Sequence, residues 1–222
     1  MIITFFNNKA ECGKSTLTIH VARALAARFF REGNTRKVYI FDTVHNIKNS
    51  IFYMKEEQEM SILSDSRLVI DCLENIDDFE NKKRDLDIQK EDVVFFDLQK
   101  FQERQVGFLL YSDFIIMVSD NPDELTKFDK ETFNLLNKLK EKSSYYTNIK
   151  KIFLTQNKVS KSEEIIEEFE TFDYISGLPE MTENNKIENI KLNNNNMPHN
   201  IQKFSIDVWK KVNEYKEQMI IN

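Results

Sequence analysis

The chain has 222 residues, of which 41% are hydrophobic and 31% charged, a mixture that fills the core of one domain and excludes wholesale disorder. Two cysteines, Cys12 and Cys72, exclude a disulfide framework and point to a reducing, cytoplasmic setting; three dispersed histidines (His20, His45, His199) add no zinc-site spacing. No run approaches the roughly 18 uncharged apolar residues of a membrane span, no basic stretch precedes the first apolar run, and a net charge of −6 excludes a nucleic-acid binder by bulk electrostatics.

Strand and helix signals alternate along the chain. Ile2–Phe6 reads as a short apolar strand. A helix is predicted from Lys14 to Arg31, with Leu17, Val21, Ala24, Leu25 and Phe29 at helical spacing and Gly33 placed to end it. Val38-Tyr39-Ile40-Phe41 ends in Asp42 as a second buried strand, and Leu68-Val69-Ile70-Asp71 reads as a short one. Between 43 and 91 charges are dense, and a helix within 46–64 is the only other element the pattern suggests there. Val93-Val94-Phe95-Phe96 ending in Asp97, then 114–118, give two more strands. A helix is expected to start near Pro122 and run to about Lys142. Ile152-Phe153-Leu154 is a further strand, followed by an acidic helix near 162–170 and an edge strand at Tyr174-Ile175. Asn193 to Asn196 reads as a polar surface loop, and an amphipathic helix covers roughly 203–219. Continuous apolar strands separated by helices predict one α/β domain, a mostly parallel sheet with helices on both faces.

The sharpest motif is Asn7-Asn8-Lys9-Ala10-Glu11-Cys12-Gly13-Lys14-Ser15-Thr16, between the first strand and the first helix. A helix start offers free backbone N–H groups and partial positive charge to a phosphate, and Gly13 lets the backbone approach closely. In such a loop Lys14 reaches the β and γ phosphates and Ser15 holds Mg²⁺. Asp42 and Asp97 each close an apolar strand, which places them at the carboxyl edge of the sheet beside the loop, where a carboxylate can hold Mg²⁺ directly or through water. Asp113 precedes its strand and belongs to the opposite edge.

Lys9, five residues before Lys14, makes the loop resemble the deviant Walker A motif Lys-Gly-Gly-x-Gly-Lys-Ser/Thr-Thr of the ParA/MinD family of ATPases. The match is at Lys9, Gly13, Lys14, Ser15 and Thr16. Val38–Asp42 resembles the strand entering that family's first switch and Val93–Asp97 its Walker B strand, while the run Ser112-Asp113-Phe114-Ile115-Ile116-Met117-Val118 with Pro122 resembles its Ala-Asp-x-hydrophobic segment. The likeness runs from Met1 to Asn157 and is of the small plasmid-partition type, without an added N-terminal DNA-binding domain. It implies a single P-loop NTPase-type domain over 1–222 that binds ATP and Mg²⁺. It implies nucleotide contacts from Lys9, Ala10, Glu11, Cys12, Gly13, Lys14, Ser15, Thr16 and Asn157, with metal contacts from Ser15, Asp42 and Asp97. Lys9, Lys14 and Asp42 take the catalytic roles, and Lys9 reaches across a homodimer to the partner's phosphates.

Three departures from the pattern bear on activity. Ala10 and Glu11 replace two glycines, and Glu11 sets a carboxylate beside phosphates; at roughly 6 Å and an effective dielectric of about 20, one such pair repels by about 3 kcal/mol. Val44 stands where the family has the Asp that positions the attacking water, and it can neither orient nor deprotonate water. The expected reaction is therefore slow hydrolysis of ATP to ADP and phosphate, with a non-hydrolysing scaffold, gated by nucleotide or free of it, as the alternative.

The resemblance also implies a role in plasmid or chromosomal DNA partition with a DNA-binding partner protein. Residues 127–161 carry nine Lys against three acids, and 162–188 carry nine acids against one Lys, so a basic segment can touch a polyanion while the whole stays acidic. Lys150, Lys151, Lys203, Lys210 and Lys211 are the candidate contacts to non-specific DNA. The last helix puts Phe204, Val208, Val212, Tyr215 and Met219 on one stripe beside Trp209, which reads first as packing on the sheet. A membrane-surface helix of the kind MinD carries is the second alternative, and membrane contact is not expected.

Overall fold

The computed structural model describes residues 1–10, 12–43, 67–98, 105–119, 125–142, 148–159, 173–179 and 199–221. Each apolar run is a strand: β1 (Ile2–Phe6), β2 (Val38–Asp42), β3 (Leu68–Cys72), β4 (Val93–Asp97), β5 (Phe114–Ser119), β6 (Lys151–Val159) and β7 (Tyr174–Pro179). All of these pair in parallel, in the order β3-β2-β4-β1-β5-β6-β7. The helices are α1 (Lys14–Arg31), α2 (Asp77–Asp85), α3 (Val106–Tyr111), α4 (Lys127–Lys142) and α5 (His199–Ile221).

Period-two alternation divides the strand side chains between two cores, which is why the central strands are mostly apolar on both faces. Ile3 and Phe5 of β1, with Val38, Ile40, Val93, Phe95, Phe114 and Ile116, face α1 and α5. Phe6, Tyr39, Phe41, Val94, Phe96 and Ile115 face the other way, against Phe79 of α2, Phe108 and Leu109 of α3 and Leu136 of α4. That second core is largely aromatic: the Phe79 ring meets Phe41, Phe96 and Tyr111 edge-on at 5.1–5.6 Å.

α1 ends as its sequence requires. Gly33 takes φ 65°, and the N–H groups of Gly33 and Asn34 donate to the carbonyls of Phe30 and Phe29 at 3.1 and 2.8 Å, a Schellman stop. α5 begins four residues earlier than its apolar stripe suggests, and Phe204, Val208 and Val212 are buried. Trp209 packs edge-on against Phe29 of α1 at 5.3 Å. The stripe from Phe204 to Tyr215 is thus an internal contact, while its last member, Met219, and Ile206 are the large apolar side chains that α5 exposes among the described residues. No described helix is long and apolar enough to cross a membrane.

α2 and α3 are not suggested by the sequence pattern. α2 carries a single buried apolar side chain, Phe79, so it has no periodicity to read; α3 spans six residues, too few to show one. The helix start expected at Pro122, the helices expected near 46–64 and 162–170, and the loop at 193–196 fall outside the described residues.

Candidate nucleotide site

β1 lies in the middle of the sheet, and its carboxyl end delivers Asn7 to the point where the chain turns into α1. Strand order reverses around β1, with β4 on one side and β5 on the other, so a crevice opens above these strand ends. Gly13 takes φ 94° and ψ 14°, left-handed backbone that only glycine adopts without strain, and it serves as the N-cap of α1. It supplies no side-chain cap, so the first N–H groups of α1 are left for an outside acceptor.

The Lys14 side chain folds back over the loop. Its Nζ donates to the Lys9 carbonyl at 2.7 Å and lies 3.6 Å from Cys12 Sγ, with only 5% of the residue exposed. Cys12 is buried, and its thiol also points at the Lys9 carbonyl, at 3.5 Å. Thus the Lys9 carbonyl gathers two donors, and the ammonium sits inside the loop rather than in solvent. Ala10 is exposed, and Lys9, Gly13, Ser15 and Thr16 are half-buried. Glu11 and Val44 fall outside the described residues.

The two strand-end acids meet the loop as their positions predict. Asp42 and Asp97 stand opposite each other in the β2–β4 register, and both are buried. Ser15 Oγ donates to Asp97 Oδ1 at 2.9 Å. Thr43 is drawn to the same place, its Oγ1 donating to the Asp97 carbonyl at 2.9 Å. One hydroxyl and two carboxylates therefore lie beside an ammonium and an uncapped helix start. Hard divalent cations take oxygen donors of this kind, and the neighbouring amide and ammonium groups suit phosphate oxygens.

Asn157 is near the carboxyl end of β6, on the same sheet edge as the loop, opposite Leu178 and two strands from β1. Lys150 and Lys151 lie at the amino end of β6, the opposite edge of the sheet. Lys150 pairs with Asp113 at 2.6 Å, and Asp113 also accepts from the Ile2 N–H at 2.8 Å; Lys151 pairs with Asp173. On α5, Lys203 and Lys210 are exposed and Lys211 is half-buried.

A polar cluster behind the loop joins Asn7, the first residue of the motif, to side chains the motif does not include. Asn7 is fully buried; its Nδ2 donates to the Val118 carbonyl at 2.7 Å and to Asp129 Oδ1 at 2.6 Å. Its Oδ1 accepts from the Lys9 N–H at 2.8 Å and from Thr132 Oγ1 at 3.3 Å. Asp129, fully buried on α4, also accepts at Oδ2 from Ser119 Oγ at 3.0 Å and from Thr126 N and Oγ1 at 2.9 and 2.8 Å. The readable signal is Thr126-Lys127-Phe128-Asp129, a capping box with Asp at its third helical position.

No family model and no curated protein matches the sequence. Solved structures do match over nearly the whole chain. A plasmid partition protein from Borrelia burgdorferi is 16% identical, covers 94% of this chain and 98% of its own, and superposes with a TM-score of 0.56. The MinC:MinD cell division complex of Aquifex aeolicus gives 14% identity, 94% and 95% coverage, and a TM-score of 0.61. An ATP complex of a McdA variant from Cyanothece gives 10% identity, 96% coverage of both chains, and a TM-score of 0.58. At these identities the likeness is one of architecture, and it agrees with the residues quoted from the loop. The chain therefore has the P-loop α/β fold of the ParA- and MinD-type ATPases.

Proposed function

We propose that the chain is a ParA-like switch: ATP and Mg²⁺ join two copies, and the joined form serves DNA partition together with a DNA-binding partner protein. One observation carries this reading, the meeting of the Lys14 ammonium, the uncapped start of α1 and the Ser15–Asp97 contact at a single sheet edge. The similar structures support it, since one is described as a plasmid partition protein and another as an ATP complex.

On this reading Lys14 leaves the Lys9 carbonyl for the β and γ phosphates, and Ser15, Asp97 and Asp42 supply oxygens to Mg²⁺. Lys9, half-buried at the mouth of the loop, serves the partner's phosphates. A charge supplied in trans makes dimerisation depend on the nucleotide. Turnover is slow, because Val44 occupies the place of a water-orienting carboxylate. That same residue favours a second reading, a scaffold gated by ATP binding alone.

Titration of a fluorescent ATP analogue with Mg²⁺, alongside sedimentation, tests the proposal on wild type, Lys14→Ala and Lys9→Ala. Lys14→Ala is expected to weaken binding by about tenfold or more, the loss of a charge-assisted contact. Lys9→Ala is expected to retain nucleotide as a monomer and lose the ATP-dependent dimer. Wild type that retains no nucleotide sinks the proposal, and unchanged dimerisation of Lys9→Ala sinks the trans role. A phosphate-release assay separates slow hydrolysis from none.

A further inference from the structure

We infer that Asn7 and Asp129 are positioning residues of the nucleotide site, holding the phosphate loop in shape from behind. The inference rests on the nucleotide-binding reading above and adds to it a role for the Asn7 side chain, at the head of the loop, and for Asp129, which lies outside it.

Its starting point is the backbone of the loop. Gly13 alone among the described loop residues takes a positive φ, 94°. The path of Asn8 and Lys9 is set by hydrogen bonds instead, and the Asn7 and Thr132 side chains provide them. An amide has two N–H donors and a carbonyl with two lone pairs. In Asn7 all four are used: Val118 and Asp129 take the donors, and Lys9 N–H and Thr132 Oγ1 fill the acceptor. The bond from Lys9 N–H to Asn7 Oδ1 closes an Asx turn, which fixes the direction in which the loop leaves β1. Thr132 Oγ1 also accepts from the Asn8 N–H at 3.2 Å, so α4 holds two successive loop residues.

Asp129 fixes which way the Asn7 amide faces. Its carboxylate receives four donors, one from Asn7 and three from Ser119 and Thr126. It is thus shared between the helix cap of α4 and the loop. The consequence passes from Asn7 to the Lys9 peptide, and from there to Lys14, whose ammonium rests on the Lys9 carbonyl at 2.7 Å. Asn7 and Asp129 touch no phosphate themselves; they decide where the groups that do are placed.

Capping and positioning are separable. Thr126→Ala removes the cap hydroxyl and leaves the Asn7–Asp129 contact atoms in place. Asn7→Ala removes the loop contacts and leaves the capping box. Each variant is measured twice, by thermal melting and by titration with the fluorescent ATP analogue and Mg²⁺. Thr126→Ala is expected to lower the melting temperature with affinity within about threefold of wild type, whereas Asn7→Ala is expected to weaken binding by about tenfold or more, as for loss of buried hydrogen bonds including one to a charged group. Should Asn7→Ala fail to fold, Asp129→Glu takes its place, since Glu is an ordinary capping-box partner but its longer side chain displaces the carboxylate from Asn7. A folded Asn7→Ala or Asp129→Glu protein that binds the analogue as wild type does overturns the positioning role alone. Equal losses of affinity in Thr126→Ala and Asn7→Ala also overturn it, assigning the effect to the helix cap. Wild type that binds no analogue overturns the nucleotide reading and this inference together.

Discussion

At the scale of single residues, His20 makes a sharp prediction. It lies on α1, fully buried, and neither ring nitrogen has a hydrogen-bond partner among the described residues. Burial, helped by the nearby Arg23 guanidinium, lowers its pKa from 6.5 to about 3. The folded chain therefore refuses a proton that the unfolded chain accepts. Stability from this group is complete above pH 6.5 and falls as the pH drops from 6.5 toward 3, by about 1.4 kcal/mol per unit across that window. His20→Leu is expected to flatten the pH dependence of the melting temperature between pH 6.5 and 4.5, and to cost little at pH 7.5, because it also removes a buried polar group with no partner. Parallel curves for the two proteins would show that carboxylates set the acid response. The loop residues behave differently. Lys9, Gly13, Lys14 and Ser15 are legible because phosphate chemistry demands these types at this spacing. Asn7 and Asp129 are legible only in part, since 122 positions separate them and nothing local announces their contact.

At the scale of elements, α2 and α3 are informative because Ile76, the residue that leads into α2, presses on α3. A Cβ placed on Gly107 of α3 would meet Ile76 Cγ2 at 2.7 Å and Ile76 Cβ at 3.2 Å. Alanine is favoured over glycine in a helix by about 1 kcal/mol, yet overpacking against a stiff β-branched side chain costs about 1–3 kcal/mol. Gly107→Ala is therefore expected to lower stability in urea unfolding, and Ile76→Ala in the same chain to recover part of that loss. A stabilised Gly107→Ala single variant would refute the close packing. The central strands β2, β4 and β5 are readable from the sequence because each is a continuous apolar run ending at a charge or a loop, whereas β6 and β7 run on through polar residues and glycine past the apolar stretches that announce them. α2 is obscured because Phe79 is its one buried anchor, and its remaining signal is electrostatic. Asp77, Asp78 and Glu80 occupy its first turn, and Lys82, Lys83 and Arg84 its last, an arrangement that complements the helix dipole. The capping box begins α4 at Lys127, and the start expected at Pro122 lies outside the described residues.

At the scale of the whole molecule, α5 covers one face of the sheet beside α1, its Tyr215 ring edge-on to Phe114 and Phe153, and charge is arranged outside that contact. Trp209→Ala is expected to destabilise the fold by about 3 kcal/mol, the usual cost of truncating a large buried aromatic. If the helix instead served a membrane, the variant would melt like wild type and lose flotation with anionic liposomes. Lys203 and Lys210, seven residues apart, share an exposed stripe of α5, while Lys150 and Lys151 are held by Asp113 and Asp173. Charge reversal at Lys203 and Lys210 is accordingly expected to reduce ATP-dependent retention on non-specific DNA and to shallow its salt dependence by about one unit of slope per lost phosphate contact. Equal retention by that variant would move the contact elsewhere. The strand order carries a further consequence for synthesis on the ribosome. β1 is made before β4 and β5, the strands it pairs with, so about ninety residues must follow it before its first neighbour exists. At elongation speeds of about 5–20 residues per second, that strand waits roughly 5–20 s without a hydrogen-bonding neighbour. Nascent chains halted before Val93 should thus be sensitive to protease along Ile2–Phe6, and those carrying both later strands outside the exit tunnel should be protected.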